Sequence, residues 1–249
     1  MPAFNILRFE SLESTNAYAT RHLGELGDRQ IILAETQTAG FGRFGRTWVS
    51  HIPGNIYISL VLKPDLPLDG NSPLANITQY MSLCICDVLD TYGVVGAIKW
   101  PNDVLVDGKK ISGLLSQTSI RNGRLMGYVL GAGINLNMPA DVLAEIDQPA
   151  TALNLITRLP IDREGFLSRL LECFFKGYEA FLEQGFKSIK ERYASLSPFL
   201  GSQTTVSLPD RTLTGKAAAY DDRGRLQLVT SDGATETLTI GDVSLSDTP

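Results

Sequence analysis

Residues 95–136 read V-G-A-I-K-W-P-N-D-V-L-V-D-G-K-K-I-S-G-L-L-S-Q-T-S-I-R-N-G-R-L-M-G-Y-V-L-G-A-G-I-N-L. Four apolar-rich runs stand close together here: Val95 to Trp100, Val104 to Val106, Lys110 to Thr118 and Arg124 to Leu136. Asp107-Gly108 and Asn122-Gly123 are two-residue hairpin signals, because both pairs tolerate the positive φ angles of a tight turn that matches strand twist. Strands joined by so short a turn run antiparallel; a parallel pair needs a crossover of about a dozen residues. The stretch therefore argues against a doubly wound parallel sheet. It sets the fold class as α+β, a mixed and mainly antiparallel sheet with helices packed on it.

Upstream, Phe4 to Phe9, Gln30 to Thr36 and Asn55 to Leu62 read as further strands. Ser14-Thr15-Asn16 offers capping side chains to a helix that stops near Gly24 or Gly27. Ser72-Pro73 opens a second helix, in which Leu74, Ile77, Met81, Cys84, Ile85 and Val88 recur at helical spacing up to Gly93, with Cys86 off the centre of that stripe. A third helix runs from Asp162 to Glu183, with Phe166, Leu167, Leu170, Leu171, Phe174, Tyr178 and Phe181 on one side, and Gly185 ends it. From about Ser197 the texture changes. Thr204 to Leu208, Leu213 to Tyr220, Arg225 to Thr230 and Thr235 to Ile240 are short strands between turns, which suggests a small β-barrel. Two domains are expected, residues 1–196 and 197–249.

The 249 residues are 43% hydrophobic and 20% charged, enough apolar material for a sizeable core, so general disorder is excluded. A net charge of −5 argues against nucleic-acid binding through overall basicity, although a local basic patch stays open. No apolar run approaches the ~18 residues of a membrane span, and Met1 to Arg8 lacks the features of a secretory signal. Cys84, Cys86 and Cys173 are odd in number and sit among apolar residues, which fits a reducing cytoplasm better than a disulfide framework.

Gly40-Phe41-Gly42-Arg43-Phe44-Gly45-Arg46-Thr47-Trp48 is the strongest chemical feature. Its glycines let the backbone approach a ligand closely, and Arg43 and Arg46 carry planar forks suited to phosphate or carboxylate oxygens. A surface loop with solvated arginines would read the same way. The loop is neither a P-loop nor a dinucleotide fingerprint. Lys99-Trp100-Pro101-Asn102-Asp103 places a cation, an amide and a carboxylate at a strand end, or is a turn satisfying its own backbone. Gly113 in Lys110-Ile111-Ser112-Gly113, and Gly131-Ala132-Gly133-Ile134-Asn135, mark either close ligand approach or crowded packing. His22 and His51 assemble no triad, no metal cluster is evident, and the cysteines offer no nucleophile. A reaction between two bound substrates needs no such nucleophile and can proceed by positioning and charge stabilisation.

Taken together and in order, Ser14-Thr15-Asn16, Gln37-Thr38-Ala39-Gly40 with the loop through Trp48, Lys99 to Asp103, Lys109 to Leu115, and Gly131 to Asn135 resemble biotin protein ligase. The resemblance implies a class II synthetase-like catalytic domain followed by an SH3-like barrel, in the short form that lacks an N-terminal DNA-binding helix-turn-helix. It implies a cytoplasmic enzyme that joins biotin to ATP, giving biotinyl-5′-AMP and pyrophosphate with Mg²⁺ as ATP's companion. The biotin then passes to a lysine of a biotin carboxyl carrier protein, of acetyl-CoA carboxylase or another biotin-dependent carboxylase. No DNA or membrane partner is expected, and a homodimer is allowed.

Carried over by motif, Ser14, Thr15, Asn16, Gln37, Gly40, Phe41, Gly42, Arg43, Lys110, Gly113 and Gly133 would bind biotin. Arg43, Arg46, Trp48, Lys99, Asn102, Lys110 and Asn135 would face the nucleotide. Lys110 would meet the reacting carboxylate and α-phosphate, Arg43 would retain the adenylate, and Asp103 would orient the incoming lysine. Lys110 rather than Lys109 is chosen because it directly precedes Ile-Ser-Gly. Phe41 departs from the family, which has a basic residue there. Lipoate or octanoate ligases and transferases, on the same scaffold, are the alternative. A non-catalytic biotin sensor or transcriptional regulator would need a recognition helix or basic arm, and neither precedes Ser14.

Overall fold

The computed structural model describes residues 4–66, 72–121 and 124–245. The expected Asn122-Gly123 turn lies outside them. Seven strands make the first sheet: β1 (Ile6–Leu12), β2 (Ile31–Gln37), β3 (Ile56–Leu62), β4 (Ala97–Lys99), β5 (Asp103–Val106), β6 (Lys109–Arg121) and β7 (Arg124–Ile134). Their spatial order is β1-β2-β3-β7-β6-β5-β4. Only β1 and β2 pair in parallel, bridged by α1 (Thr15–Arg21); the other neighbours are antiparallel. At the β5–β6 turn Asp107 and Gly108 have φ of 49° and 73°, the two left-handed residues that an Asp-Gly hairpin uses.

Helix α2 (Ile77–Asp90) and helix α5 (Arg163–Gln184) cover one face of this sheet. Every residue of α2 from Ile77 to Cys86 is buried. Over these turns the helix is enclosed on all sides, with Asp87 and Asp90 exposed beyond them, and Cys86, off the expected stripe, is as buried as Cys84. Asp162 caps α5 through the Gly165 N–H, and its seven inward residues are those the helical spacing selects. Tyr80 of α2 stacks on Phe181 of α5 at 4.6 Å and donates to the Phe174 carbonyl at 2.7 Å. Each such fully buried large apolar side chain contributes about 1.5–3 kcal/mol over its exposed state. On the opposite face a smaller cluster packs Ala19, Leu23 and Leu26 against Ile32, Val61 and Val129.

Helix α1 stops at Arg21, before either glycine expected to end it. Three short helices that carry no strong apolar periodicity are absent from the sequence reading: α3 (Ala140–Ala144), α4 (Leu153–Thr157) and α6 (Lys190–Ser195). The C-terminal strands are β8 (Gln203–Ser207), β9 (Thr212–Tyr220), β10 (Leu226–Thr230), β11 (Thr235–Leu238) and β12 (Asp242–Leu245). They form an antiparallel sheet in the order β11-β10-β9-β8-β12. Among the described residues this is a five-stranded sheet; closure into a barrel is not among its pairings. The last strand, β12, is also unexpected from sequence, because Asp242 and Ser244 dilute its apolar signal. The turn between β9 and β10 is stitched to the N-terminal part: Trp100 Nε1, just after β4, and Gln79 Nε2 of α2 both donate to the Gly224 carbonyl, at 3.0 Å each.

Candidate functional site

The site grows out of strand register. Tyr57 pairs with Gly133, which pairs with Gly113; Ser59 pairs with Gly131, which pairs with Leu115. With the two-residue period of a strand, these residues all face the side of the sheet that carries α1. Three neighbouring glycines thus leave a shallow floor where side chains would otherwise stand. Other chemistry fills that space. The Trp48 indole lies over Gly113 and Gly133, and a Cβ at Gly113 would come within 2.9 Å of it. The Asn16 side chain lies over Gly131. Glycine is needed here for close approach rather than for a turn.

One end of the resulting cleft is polar and rigid. Ser14 caps α1 by accepting from the Ala17 N–H, which places Thr15 and Asn16 at the helix start. The Thr15 N–H donates to Gln37 Oε1 at 2.7 Å, and Thr15 Oγ1 lies 3.2 Å from the same oxygen. Asn16 Nδ2 donates to the Leu115 carbonyl. Ser59, fully buried in β3, sets its hydroxyl 2.9 Å from Thr15 Oγ1 and 2.5 Å from Asn16 Oδ1. Ser14, Thr15, Asn16, Gln37 and Ser59 are all buried.

The other end is ionic. Lys110 Nζ pairs with Asp103 Oδ1 at 2.8 Å and sits 5.5 Å from the Trp48 ring centre. Arg43 donates to Asn102 Oδ1 at 2.9 Å and to the Gly241 carbonyl at 3.1 Å, with its guanidinium 4.8 Å from the Phe44 ring. Asn102 Nδ2 in turn donates to the Leu114 carbonyl. Asp242 receives two cations, Arg46 at 2.5 Å on one oxygen and Lys99 at 2.7 Å on the other. Burial alone pushes the Asp242 carboxyl up, but the hydrogen bonds and charges of Lys99 and Arg46 outweigh it and hold it below its ordinary value. Burial pulls the Arg43 guanidinium down, opposed by Asp103 and Asp242. Four cations thus face two carboxylates within an acidic protein, leaving local positive charge for an anionic ligand.

The cleft is lined by Ser14, Thr15, Asn16, Gln37, Phe41, Gly42, Arg43, Arg46, Trp48, Asn102, Asp103, Lys110, Gly113 and Gly133, all expected from sequence. Lys110 is half-buried there, whereas Lys109 is exposed and does not line the cleft. Gly40, Lys99 and Asn135 do not line it. Gly40 is pressed against Ser50 and the Trp48 carbonyl. Lys99 reaches the site only through Asp242. Asn135 is spent internally, its Nδ2 donating to the Thr151 carbonyl. Sequence reasoning misses Ser59, whose signal is a lone hydroxyl in the apolar run N-I-Y-I-S-L-V-L, and Asp242, 139 positions beyond Asp103 with no local motif. The three cysteines are free and none lines the cleft; burial pushes the Cys86 thiol up to about 12.

Residues 8–135 match the Biotin/lipoate A/B protein ligase family, and residues 199–246 match the Biotin protein ligase C terminal domain. The chain is 34% identical over 204 residues to the bifunctional ligase/repressor BirA of Bacillus subtilis, covering 82% of this chain but only 62% of that protein. It is 31% identical over 221 residues to the biotin–[acetyl-CoA-carboxylase] ligase of Paracoccus denitrificans, covering 87% of this chain and 90% of that one. Among solved structures, the biotin protein ligase of Aquifex aeolicus in complex with biotin and ATP superposes with a TM-score of 0.79 at 27% identity, covering 97% and 98% of the two chains. Matched over half its length by the first of these families, and nearly end to end by the Paracoccus relative, the chain belongs to the biotin/lipoate A/B protein ligase family.

Proposed function

We propose that this protein is an ATP-dependent biotin–protein ligase. The observation that carries the reading is the single cleft that joins a buried polar end to an ionic end across a glycine floor. Biotin has the same division, a ureido ring that needs donors and acceptors and a carboxylate that needs cations. Thr15 and Asn16, held by Ser59, and Gln37, held by Thr15, face the ring, and Gly113 and Gly133 let the Trp48 indole settle low over the sheet. The chain of biotin lies under Trp48, and Lys110 meets its carboxylate.

ATP occupies the ionic end, its phosphates facing Arg43, Arg46 and Asn102. The biotin carboxylate oxygen attacks the α-phosphorus and pyrophosphate leaves. Lys110 sits where charge develops on both partners, so it stabilises the transition state more than the ground state. Arg43, tied to Asn102 and Gly241, holds the loop over the adenylate. The amine of a carrier lysine, proposed to be oriented by Asp103, then attacks the acyl carbon and AMP leaves. An unperturbed lysine has a pKa near ~10.4 and must lose a proton first. Mg²⁺ enters with ATP as its counter-ion. The division into residues 1–196 and 197–249, a carboxylase carrier as acceptor, and a cytoplasmic location belong to the same proposal.

Exchange of labelled pyrophosphate into ATP that requires biotin is the expected result. Exchange driven by lipoate or octanoate and not by biotin would overturn the substrate assignment.

A further inference from the structure

The C-terminal sheet reaches the cleft through one dipeptide, Gly241-Asp242, at the start of β12. Gly241 has a φ of 153°, and a Cβ there would lie 2.5 Å from Val206 Cγ1, so its peptide is set where only glycine fits. Its carbonyl accepts from Arg43, and the next residue supplies the carboxylate that binds Arg46 and Lys99. Each oxygen of Asp242 takes one cation, as two oxygens of a phosphate would. Arg46 and Lys99 come from elements far apart in sequence and would repel each other at one point without an anion between them. Arg46 is a cation that the proposed reaction turns toward phosphate, Lys99 reaches the cleft through the same carboxylate, and the Asp242 side chain lines that cleft, 24% exposed.

We infer that the Asp242 carboxylate stands in for nucleotide phosphate: it gathers Arg46 and Lys99 in the ligand-free protein and yields both to a phosphate-bearing ligand. The inference rests on the reading of the cleft as a nucleotide site. Its consequence is competition. Every phosphate that enters must displace a carboxylate already in place, so Asp242 weakens the hold on pyrophosphate and favours its departure after the adenylate forms. It also ties the C-terminal sheet to the loop through an ion pair that exists only while the phosphate position is free.

Calorimetric titration of the full chain with inorganic pyrophosphate tests this directly. Asp242→Asn keeps the shape and one hydrogen-bond acceptor but removes the competing charge, and it should bind pyrophosphate about five-fold or more tightly than wild type. Asp242→Glu keeps the competitor and should stay within about two-fold. Ser244→Ala, on the exposed side of β12, should leave the affinity unchanged. Unchanged or weaker pyrophosphate binding in Asp242→Asn, with a single cooperative melting transition retained, overturns the exchange. If that variant does not fold, Asp242→Ser takes its place: tighter pyrophosphate binding supports the exchange, and unchanged or weaker binding overturns it. Failure of wild type itself to bind either ATP or pyrophosphate would overturn the nucleotide reading instead, so the two failures are distinct.

Discussion

The two ends of the cleft are built on different principles. At the polar end, Thr15, Asn16, Gln37 and Ser59 come from a helix start and two strands, are buried, and satisfy one another. Their positions are dictated by secondary structure, so a ligand finds donors and acceptors already aimed. At the ionic end, Arg43 and Arg46 sit on a loop: Arg43 is tied to the Asn102 amide and the Gly241 carbonyl, and Arg46, 60% exposed, is held by an ion pair with Asp242. Exposed ion pairs are individually weak, typically about 0–1 kcal/mol. One end is therefore a preformed mould, while the other can be rearranged by an incoming charge. A ligase that must hold biotin through two steps, yet release pyrophosphate between them, has a use for both.

The comparison breaks first at Lys110, where the two ends meet. Lys110→Ala should reduce biotin-dependent pyrophosphate exchange by at least about 100-fold, the scale of losing one preorganised charge in a water-poor site. It also strands Asp103, which is 8% exposed, so a lowered melting temperature is expected as well. Biotin affinity should change far less than the exchange rate; unaltered exchange would remove Lys110 from the chemistry. Next comes the mould. Gln37→Leu leaves the buried Thr15 N–H without its acceptor, at about 1–3 kcal/mol. Biotin should bind about 10–100-fold more weakly by calorimetry, with ATP affinity little altered. Equal losses for both ligands would mean that the two ends are not independent.

The mould is far more legible in the sequence than the movable end. While the row of Gly113, Gly133 and Tyr57 depends on strand pairings that the sequence does not spell out, the Asp107-Gly108 hairpin signal sets Asp103 opposite Gly113. Capping chemistry likewise puts Ser14 at a helix start. These are local rules, each readable within a few residues. Asp242 obeys no local rule, since it matters only because β12 returns beside β8 and aims its side chain at cations more than 140 positions away. Ser59 is partly readable, as a hydroxyl that an all-apolar strand does not need. Asn135 and Lys99 are expected in the cleft on motif alone; tertiary contacts spend Asn135 on the Thr151 carbonyl, and Lys99 meets the cleft only through Asp242.

A smaller effect should follow from loosening the loop without touching the mould. Arg43→Gly removes the bonds to Asn102 and to the Gly241 carbonyl, so the adenylate should escape several-fold faster and label lysines of bystander proteins. Mass spectrometry of a mixed-protein reaction reads this out. Retention equal to or tighter than wild type would contradict the role given to Arg43.

The smallest effect concerns pH, and it separates the two ends most cleanly. Asp242 is held below its ordinary carboxylate value in the folded protein, so its contribution is fully present above the unfolded-state value. That contribution is lost as pH falls through the lowered folded-state value, when protonation releases Arg46 and Lys99. Asp242→Asn lacks the charge at every pH. Wild type should therefore melt a few degrees above this variant near neutrality, on the order of 1 kcal/mol given the exposure of Arg46, and the gap should close below about pH 4. None of Ser14, Thr15, Asn16, Gln37 and Ser59 ionises, so the stability lost in Gln37→Leu should stay constant over the same range. A gap that persists in acid would mean that Asp242 holds the loop by shape rather than by charge, and the ionic end would then be as fixed as the polar one.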